Sequence, residues 1–224
     1  MIFMMVSVLL RNLKSELIMK VDILDVGSGN IRSVKHWIEK ANVSTRIVSK
    51  ISDLHSDLLI LPGVGSAGSY MERLKVGKYD QAIIEHVEKG GRLLGICLGF
   101  QIMGNYSEED GNIEGLGLIN VHTERLTNNI SHNSWEPIYL CQHKMKNQSF
   151  NSQYKLTKKR ILNGRVFYNH EYGVINNEPT AFSIPVSDGL SQYSGLLVKD
   201  NIIGIQFHPE KSQITGSELV SMIL

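Results

Sequence analysis

Cysteine is scarce: Cys97 and Cys141 are the only two in 224 residues. That excludes a disulfide framework and suits a reducing, cytoplasmic compartment in which a thiol stays reactive. Charge of one sign is also missing. Lys and Arg number 23 against 22 Asp and Glu, a formal net charge of +1. So small an excess argues against a surface built to hold nucleic acid or an anionic membrane. Long apolar runs are missing as well. The stretch Met1–Leu10 has ten residues, well short of the roughly 20 that cross a bilayer. No basic residue precedes it and no clear small-residue cleavage site follows, which argues against a signal peptide. There is no internal repeat and no low-complexity segment.

What is present fits a globular protein. A hydrophobic content of 42% can fill the core of one large α/β domain or two small ones. A good strand opens after Met19-Lys20, so the domain is read as 19–224 and residues 1–18 as an appendage. Strand and helix then alternate, which predicts a mostly parallel sheet. Strands are expected at 21–26, 45–48, 57–61 and 92–96, with helices at 31–41 and 78–88. Gly27-Ser28-Gly29-Asn30 is a tight strand-to-helix turn. A GxG alone is weak evidence for a phosphate cradle. From Gly115 onward the texture becomes strand-rich, with strands expected at 115–119, 166–168, 181–184, 195–198 and 202–207. A closing helix spans 212–224. Residues 141–160 are polar and basic, read as a solvated connection. Cys141-x-His143 is a poor ligand set, and neither a metal nor a cofactor is expected.

The chemistry begins at Gly95-Ile96-Cys97-Leu98-Gly99. An apolar strand runs into a helix expected over 98–106, with a cysteine on the corner. Small residues two positions either side suit a strained strand-to-helix turn that exposes the thiol. The helix N-terminus favours thiolate, and the Leu98 N–H is placed to meet an oxyanion. Gln101, one helical turn on, shares the face of Cys97. The loop Pro62-Gly63-Val64-Gly65 follows a buried strand and opens at the same sheet edge. A nucleophilic cysteine needs a base and the base needs an orienting group. Among eight histidines, His208 stands out because it ends a strong strand as His208-Pro209-Glu210. In an extended segment residues two apart face one way, so Glu210 can orient the imidazole.

Gly95-Ile96-Cys97-Leu98-Gly99-Phe100-Gln101 together with Gln206-Phe207-His208-Pro209-Glu210-Lys211-Ser212 resembles the class-I, or triad, glutamine amidotransferases. Asp25-x-Gly27-x-Gly29-Asn30-Ile31-x-Ser33-Val34, Leu61-Pro62-Gly63-Val64-Gly65 and Ser107-Glu108-Glu109 resemble the glutaminase subunit of imidazole glycerol phosphate synthase. The resemblance covers roughly residues 19–224 and implies a flavodoxin-like α/β fold. It also implies that Cys97 attacks the side-chain amide of glutamine, with His208 as base and Glu210 as orienter. The oxyanion hole would combine the Leu98 N–H with a backbone N–H at Val64 or Gly65, after a peptide flip. Gly63, Gly65, Gln101 and Glu109 would hold glutamine, Glu109 facing its ammonium. Ammonia would pass to a barrel-shaped synthase subunit, met at Asn30, Trp135 and Lys211. Departures cluster on that side. The usual His-Met-Gly-Trp-Asn is His132-Asn133-Ser134-Trp135-Glu136, and the usual Tyr-Phe-Val-His-Ser-Tyr is Phe167-Tyr168-Asn169-His170-Glu171-Tyr172. Three alternatives stand beside this reading: a related glutaminase serving surface-sugar amidination, a free-standing cysteine hydrolase, and a binding module without catalysis. Gln101, Glu109 and Lys211-Ser212 favour glutamine over peptide. Retention of Cys97, His208 and Glu210 argues against the binding module.

Overall fold

The computed structural model describes residues 19–141 and 161–224. The expected appendage, 1–18, and all but the first residue of the basic stretch lie outside the described residues. The first half alternates as β1 (Val21–Leu24), α1 (Ile31–Glu39), β2 (Thr45–Val48), β3 (Leu58–Gly63), α2 (Ala67–Val76), α3 (Tyr79–Glu88), β4 (Arg92–Cys97) and α4 (Leu98–Gln101). The second half adds β5 (Tyr106–Ser107), β6 (Ile113–Glu114), β7 (Val121–Arg125), β8 (His132–Cys141), β9 (Ile161–His170), β10 (Tyr172–Asn176), β11 (Phe182–Pro185), β12 (Ser194–Lys199) and β13 (Ile202–Ile205), and ends in α5 (Gln213–Ile223).

The main sheet has seven strands in the order β11-β12-β13-β4-β3-β1-β2. The run from β13 to β2 is parallel, and β12 and β11 extend it antiparallel. Strands of a parallel sheet covered on both faces read as unbroken apolar runs, and every residue of β3 is buried. Alternation then sorts the side chains. Leu58, Ile60, Leu94 and Ile96 pack with Val34, Trp37 and Ile38 of α1, Leu219 and Val220 of α5, and the β8–β9 hairpin. Leu59, Leu61 and Leu93 pack on the other face with Tyr70, Met71 and Leu74 of α2, and Phe100. Each such large side chain contributes about 1.5–3 kcal/mol over its exposed state. Trp37 Nε1 donates to the Gly216 carbonyl at 2.6 Å and ties α1 to α5.

One pairing positions the chemistry. β13, from the far end of the chain, lies parallel to β4 with Ile205 opposite Ile96. The segments that follow, Cys97 and Phe207-His208, therefore leave the same sheet edge. No described helix is long and apolar enough to cross a membrane.

Four local expectations are corrected. The helix after the elbow stops at Gln101 instead of reaching Tyr106. Residues 115–119 form no strand. The two segments bond to each other instead, Leu116 N to Ile102 O at 2.8 Å and Gly115 N to Asn105 O at 2.9 Å. Local helical spacing cannot foresee that competition. A helix, α2, starts at Ala67 inside what reads as a small-residue loop. The longest hairpin, β8–β9, includes a strand that the sequence pattern did not suggest.

The α4 turn is packed against backbone. A Cβ added at Gly99 would lie 1.9 Å from the Leu61 carbonyl oxygen. Gly99→Ala is expected to destabilise the fold by about 3 kcal/mol or more, since a backbone neighbour cannot rotate away. Gly189→Ala, where a methyl meets nothing within 4 Å, should stay within about 0.5 kcal/mol of the parent. Urea denaturation of both variants makes the comparison.

Candidate active site

Cys97 sits at φ +54° and ψ −111°. That is strained backbone for a side-chain-bearing residue, held only because its surroundings over-determine it. The sequence explains how. Gly95 lets the turn fold back, because a Cβ there would lie 2.6 Å from the Gly99 carbonyl oxygen. Gly63 pairs with Cys97 across β3–β4, and a Cβ there would lie 2.7 Å from Gly99 N. The glycines therefore bring the Gly63-Val64-Gly65 loop against the thiol.

The imidazole arrives from β13. His208 N donates to the Phe167 carbonyl at 2.8 Å. Ser212 Oγ donates to the His208 carbonyl at 2.7 Å and accepts from Phe167 N at 3.1 Å. The backbone of His208 is thereby fastened to β9. His208 Nδ1 meets Glu210 Oε1 at 2.8 Å, and both side chains are buried. The two meet through a 3-10 turn, Pro209–Lys211, rather than along an extended segment. The Asn30 side-chain amide donates to the same Glu210 oxygen, so Asn30 braces the carboxylate. Burial opposes charge on His208 and is the largest single influence. The Cys97 thiol and the Glu210 carboxylate together outweigh it, and the imidazole pKa is pushed up to about 9. An imidazolium beside sulfur is the arrangement that activates a cysteine.

Cys97 and His208 face a cavity of about 270 Å³ lined also by Val64, Gly65, Leu98, Gln101, Glu109 and Lys211, and by Ser131, Asn169, His170, Glu171 and Tyr172. A larger open groove, about 710 Å³ beside Lys40, Ile161 and α5, carries neither thiol nor imidazole. Glu109 Oε2 accepts from Ala67 N at 2.9 Å, at the start of α2. Burial raises its pKa, the Ala67 N–H pulls it back, and Asp110 and Glu171 raise it further. A half-buried carboxylate crowded by like charge favours a cationic guest. Gln101 Nε2 donates to the Tyr172 carbonyl at 2.7 Å and to Gln206 Oε1 at 3.2 Å. A ligand would therefore meet the carbonyl end of Gln101. Trp135 stands apart from the cavity lining, on β8, its ring 5.6 Å from Phe167. Lys211 Nζ lies 5.8 Å from the Phe167 ring centroid. Among the described residues no group of three or more His, Cys, Asp or Glu could hold a metal ion.

Sequence reasoning passed over Gln206, whose amide nitrogen lies 3.8 Å from Cys97 Sγ. Its signal was available: a polar side chain in an apolar strand, two residues before His208. His170, part of the departing Phe167–Tyr172 segment and given no role there, lines the cavity.

Because the folded His208 pKa lies above the ordinary value near 6.5, its stabilisation is complete below about pH 6.5. It is lost as pH rises through about 9. The stability of the parent relative to His208→Gln should fall between those limits, by on the order of 3 kcal/mol. Urea unfolding of both proteins at stepped pH measures it.

The glutamine amidotransferase class-I family model matches residues 22–221. The imidazole glycerol phosphate synthase subunit HisH of Bacillus subtilis (strain 168) is 32% identical over 210 residues, 90% of this chain and 93% of that one. The subunit HisH 2 of Methanococcus maripaludis is 36% identical over 207 residues, 89% of this chain and 96% of that one. Among solved structures, PurLQS from Thermotoga maritima aligns with a TM-score of 0.67 at 19% identity, covering 92% of this chain and 98% of that one. That last likeness speaks to fold alone. By fold, by family and by relatives, the chain belongs to the class-I glutamine amidotransferases.

Proposed function

We propose that this chain is the glutaminase subunit of an imidazole glycerol phosphate synthase and feeds ammonia to a synthase partner in histidine biosynthesis. The observation that carries the reading is the strained Cys97 in one cavity with His208 and Glu109, among relatives that are themselves synthase subunits. Cys97 Sγ attacks the side-chain amide carbon of glutamine, and the C–N bond breaks. His208 delivers its proton to the leaving nitrogen, so ammonia departs and a glutamyl thioester remains. Water, deprotonated by His208, then cleaves the thioester to glutamate. Glu210 holds the imidazole tautomer, and Asn30 holds Glu210.

The oxyanion of each tetrahedral intermediate is assigned to the Leu98 N–H and the Val64–Gly65 backbone. Ser28 Oγ donates to the Val64 carbonyl at 2.7 Å, a bond that a flip of this peptide would break. Glu109 takes the ammonium of glutamine, and Gly63, Gly65 and Gln101 complete its seat. Asn30, Trp135 and Lys211 are assigned to the partner face. Delivery through a protein contact keeps ammonia unprotonated, and only that form is nucleophilic.

Two outcomes follow. Glutamate release by the purified chain should rise strongly when a synthase barrel subunit and its nucleotide ligand are added, and Cys97→Ala should abolish it in every mixture. Slow release that the barrel leaves unchanged would assign the ammonia to a different synthase. Glu109→Gln should raise KM for glutamine about tenfold or more with a smaller effect on kcat, because a charge-assisted contact is worth about 1.5–3 kcal/mol. An unchanged KM would remove Glu109 from the substrate seat.

A further inference from the structure

A second buried group of titratable side chains borders the cavity, outside the Cys97–His208–Glu210 set. His170 Nδ1 lies 2.7 Å from the Tyr172 carbonyl, His132 Nδ1 lies 3.0 Å from His170 Nε2, and His132 Nε2 lies 3.1 Å from Glu136 Oε1. His132 and His170 face each other across β8–β9, and both are buried.

Proton counting along this chain has one solution when His170 is neutral. A carbonyl oxygen only accepts, so His170 Nδ1 carries a hydrogen. Burial disfavours charge on His170 most strongly, and the neighbouring His132 and His208 add to that. The Tyr172 carbonyl only partly offsets them, and the pKa is pushed down to about 4. His170 is therefore neutral, its Nε2 is bare, and His132 Nδ1 must donate to it. His132 Nε2 then faces a carboxylate, which also accepts. With His170 neutral, all three contacts are hydrogen bonds only if one further proton lies between Nε2 and Oε1. Remove it and a bond fails somewhere. Either Nε2 opposes the carboxylate as a second acceptor, or both rings change tautomer and the Tyr172 carbonyl loses its donor. An amide at position 136 would escape this conflict by donating to Nε2.

The end of the chain matters for the glutamine seat. The Tyr172 carbonyl that His170 holds also accepts Gln101 Nε2 at 2.7 Å. His170, Tyr172 and Gln101 all line the cavity.

We propose that His132 and Glu136 hold a shared proton and act as positioning residues, setting the His170 tautomer and through it the Tyr172 carbonyl and Gln101. The glutamine-binding consequence rests on the proposed glutaminase reading; the proton and tautomer assignment does not. Among the described residues, other ionisable or charged groups also lie near the pair. Tyr168 on β9 stacks on His132 at 5.0 Å. Arg165 on β9 donates to the Trp135 carbonyl. His208 acts on His170 from beyond it. All are common to the parent and a Glu136→Gln variant, so the difference between the two isolates the shared proton.

The test uses the full chain. Side-chain nitrogen NMR of parent and Glu136→Gln is recorded from about pH 6 to about pH 10. Both should show His170 protonated at Nδ1 near neutrality. The parent alone should then release a proton from the His132–Glu136 pair with a change in the His170 signals. His170 protonated at Nε2, or identical titrations in the two proteins, would overturn the proposal. Glutamine affinity is measured by calorimetry in a Cys97→Ala background over the same range. With Glu136 in place it should weaken about three- to tenfold across that release, and the Glu136→Gln variant should lose this step, the scale of one hydrogen bond. Equal pH dependence in both would overturn the link to the seat. Absence of glutamine binding at every pH would overturn the glutaminase reading instead, and the NMR titration would still decide the proton assignment.

Discussion

The site depends on a place where three stretches of backbone come closer than any side chain allows. Gly99 sits against the Leu61 carbonyl, Gly63 against Gly99, and Gly95 against Gly99. Their contact fixes the end of β3 beside the end of β4 and forces Cys97 to φ +54°. The strain is local and the restraint is not. The buried faces of β3 and β4 hold the elbow in shape, so core packing maintains a conformation that a cysteine would otherwise leave. Exposure of the sulfur to the cavity and its nearness to the Val64–Gly65 peptide both follow from this contact.

The second constraint is topological. Strand β13 follows β4 by more than a hundred residues of sequence, yet pairs with it in parallel register. That pairing carries His208 to the thiol. The polar groups then form two lines into one cavity. One runs Asn30–Glu210–His208 toward Cys97. The other runs Glu136–His132–His170 toward the Tyr172 carbonyl and Gln101. Burial opposes charge on both rings, but their partners differ. At His208 the Cys97 and Glu210 side chains outweigh burial and the pKa is pushed up to about 9, whereas at His170 burial and two other imidazoles outweigh the Tyr172 carbonyl and it is pushed down to about 4. The first ring is suited to carry protons, and the second to fix geometry while staying neutral.

The sequence made some of this legible and hid the rest, for physical reasons. The elbow could be read because small residues at 95 and 99 answer a steric demand that any such turn imposes. His208 and Glu210 could be read because a strong apolar strand ended in them, although a 3-10 turn rather than an extended segment brings them together. The parallel sheet followed from alternation. Contacts decided by distant partners were not legible. The elbow helix stops early because residues 115–118 take the carbonyls of residues 102–105. Gln206 reaches sulfur only once β13 and β4 are side by side. His132 and His170 are 38 residues apart, and neither carries a local signature of the other.

The proposed mechanism requires a covalent bond between Cys97 and the acyl group of glutamine. Rapid quenching of the chain with glutamine, followed by mass analysis of its peptides, detects that bond. A glutamyl adduct is expected on the peptide containing Cys97, absent in Cys97→Ala and accumulating when the water step is slowed. Glutamate release that continues in Cys97→Ala, with no adduct on any peptide of the parent, would contradict the mechanism.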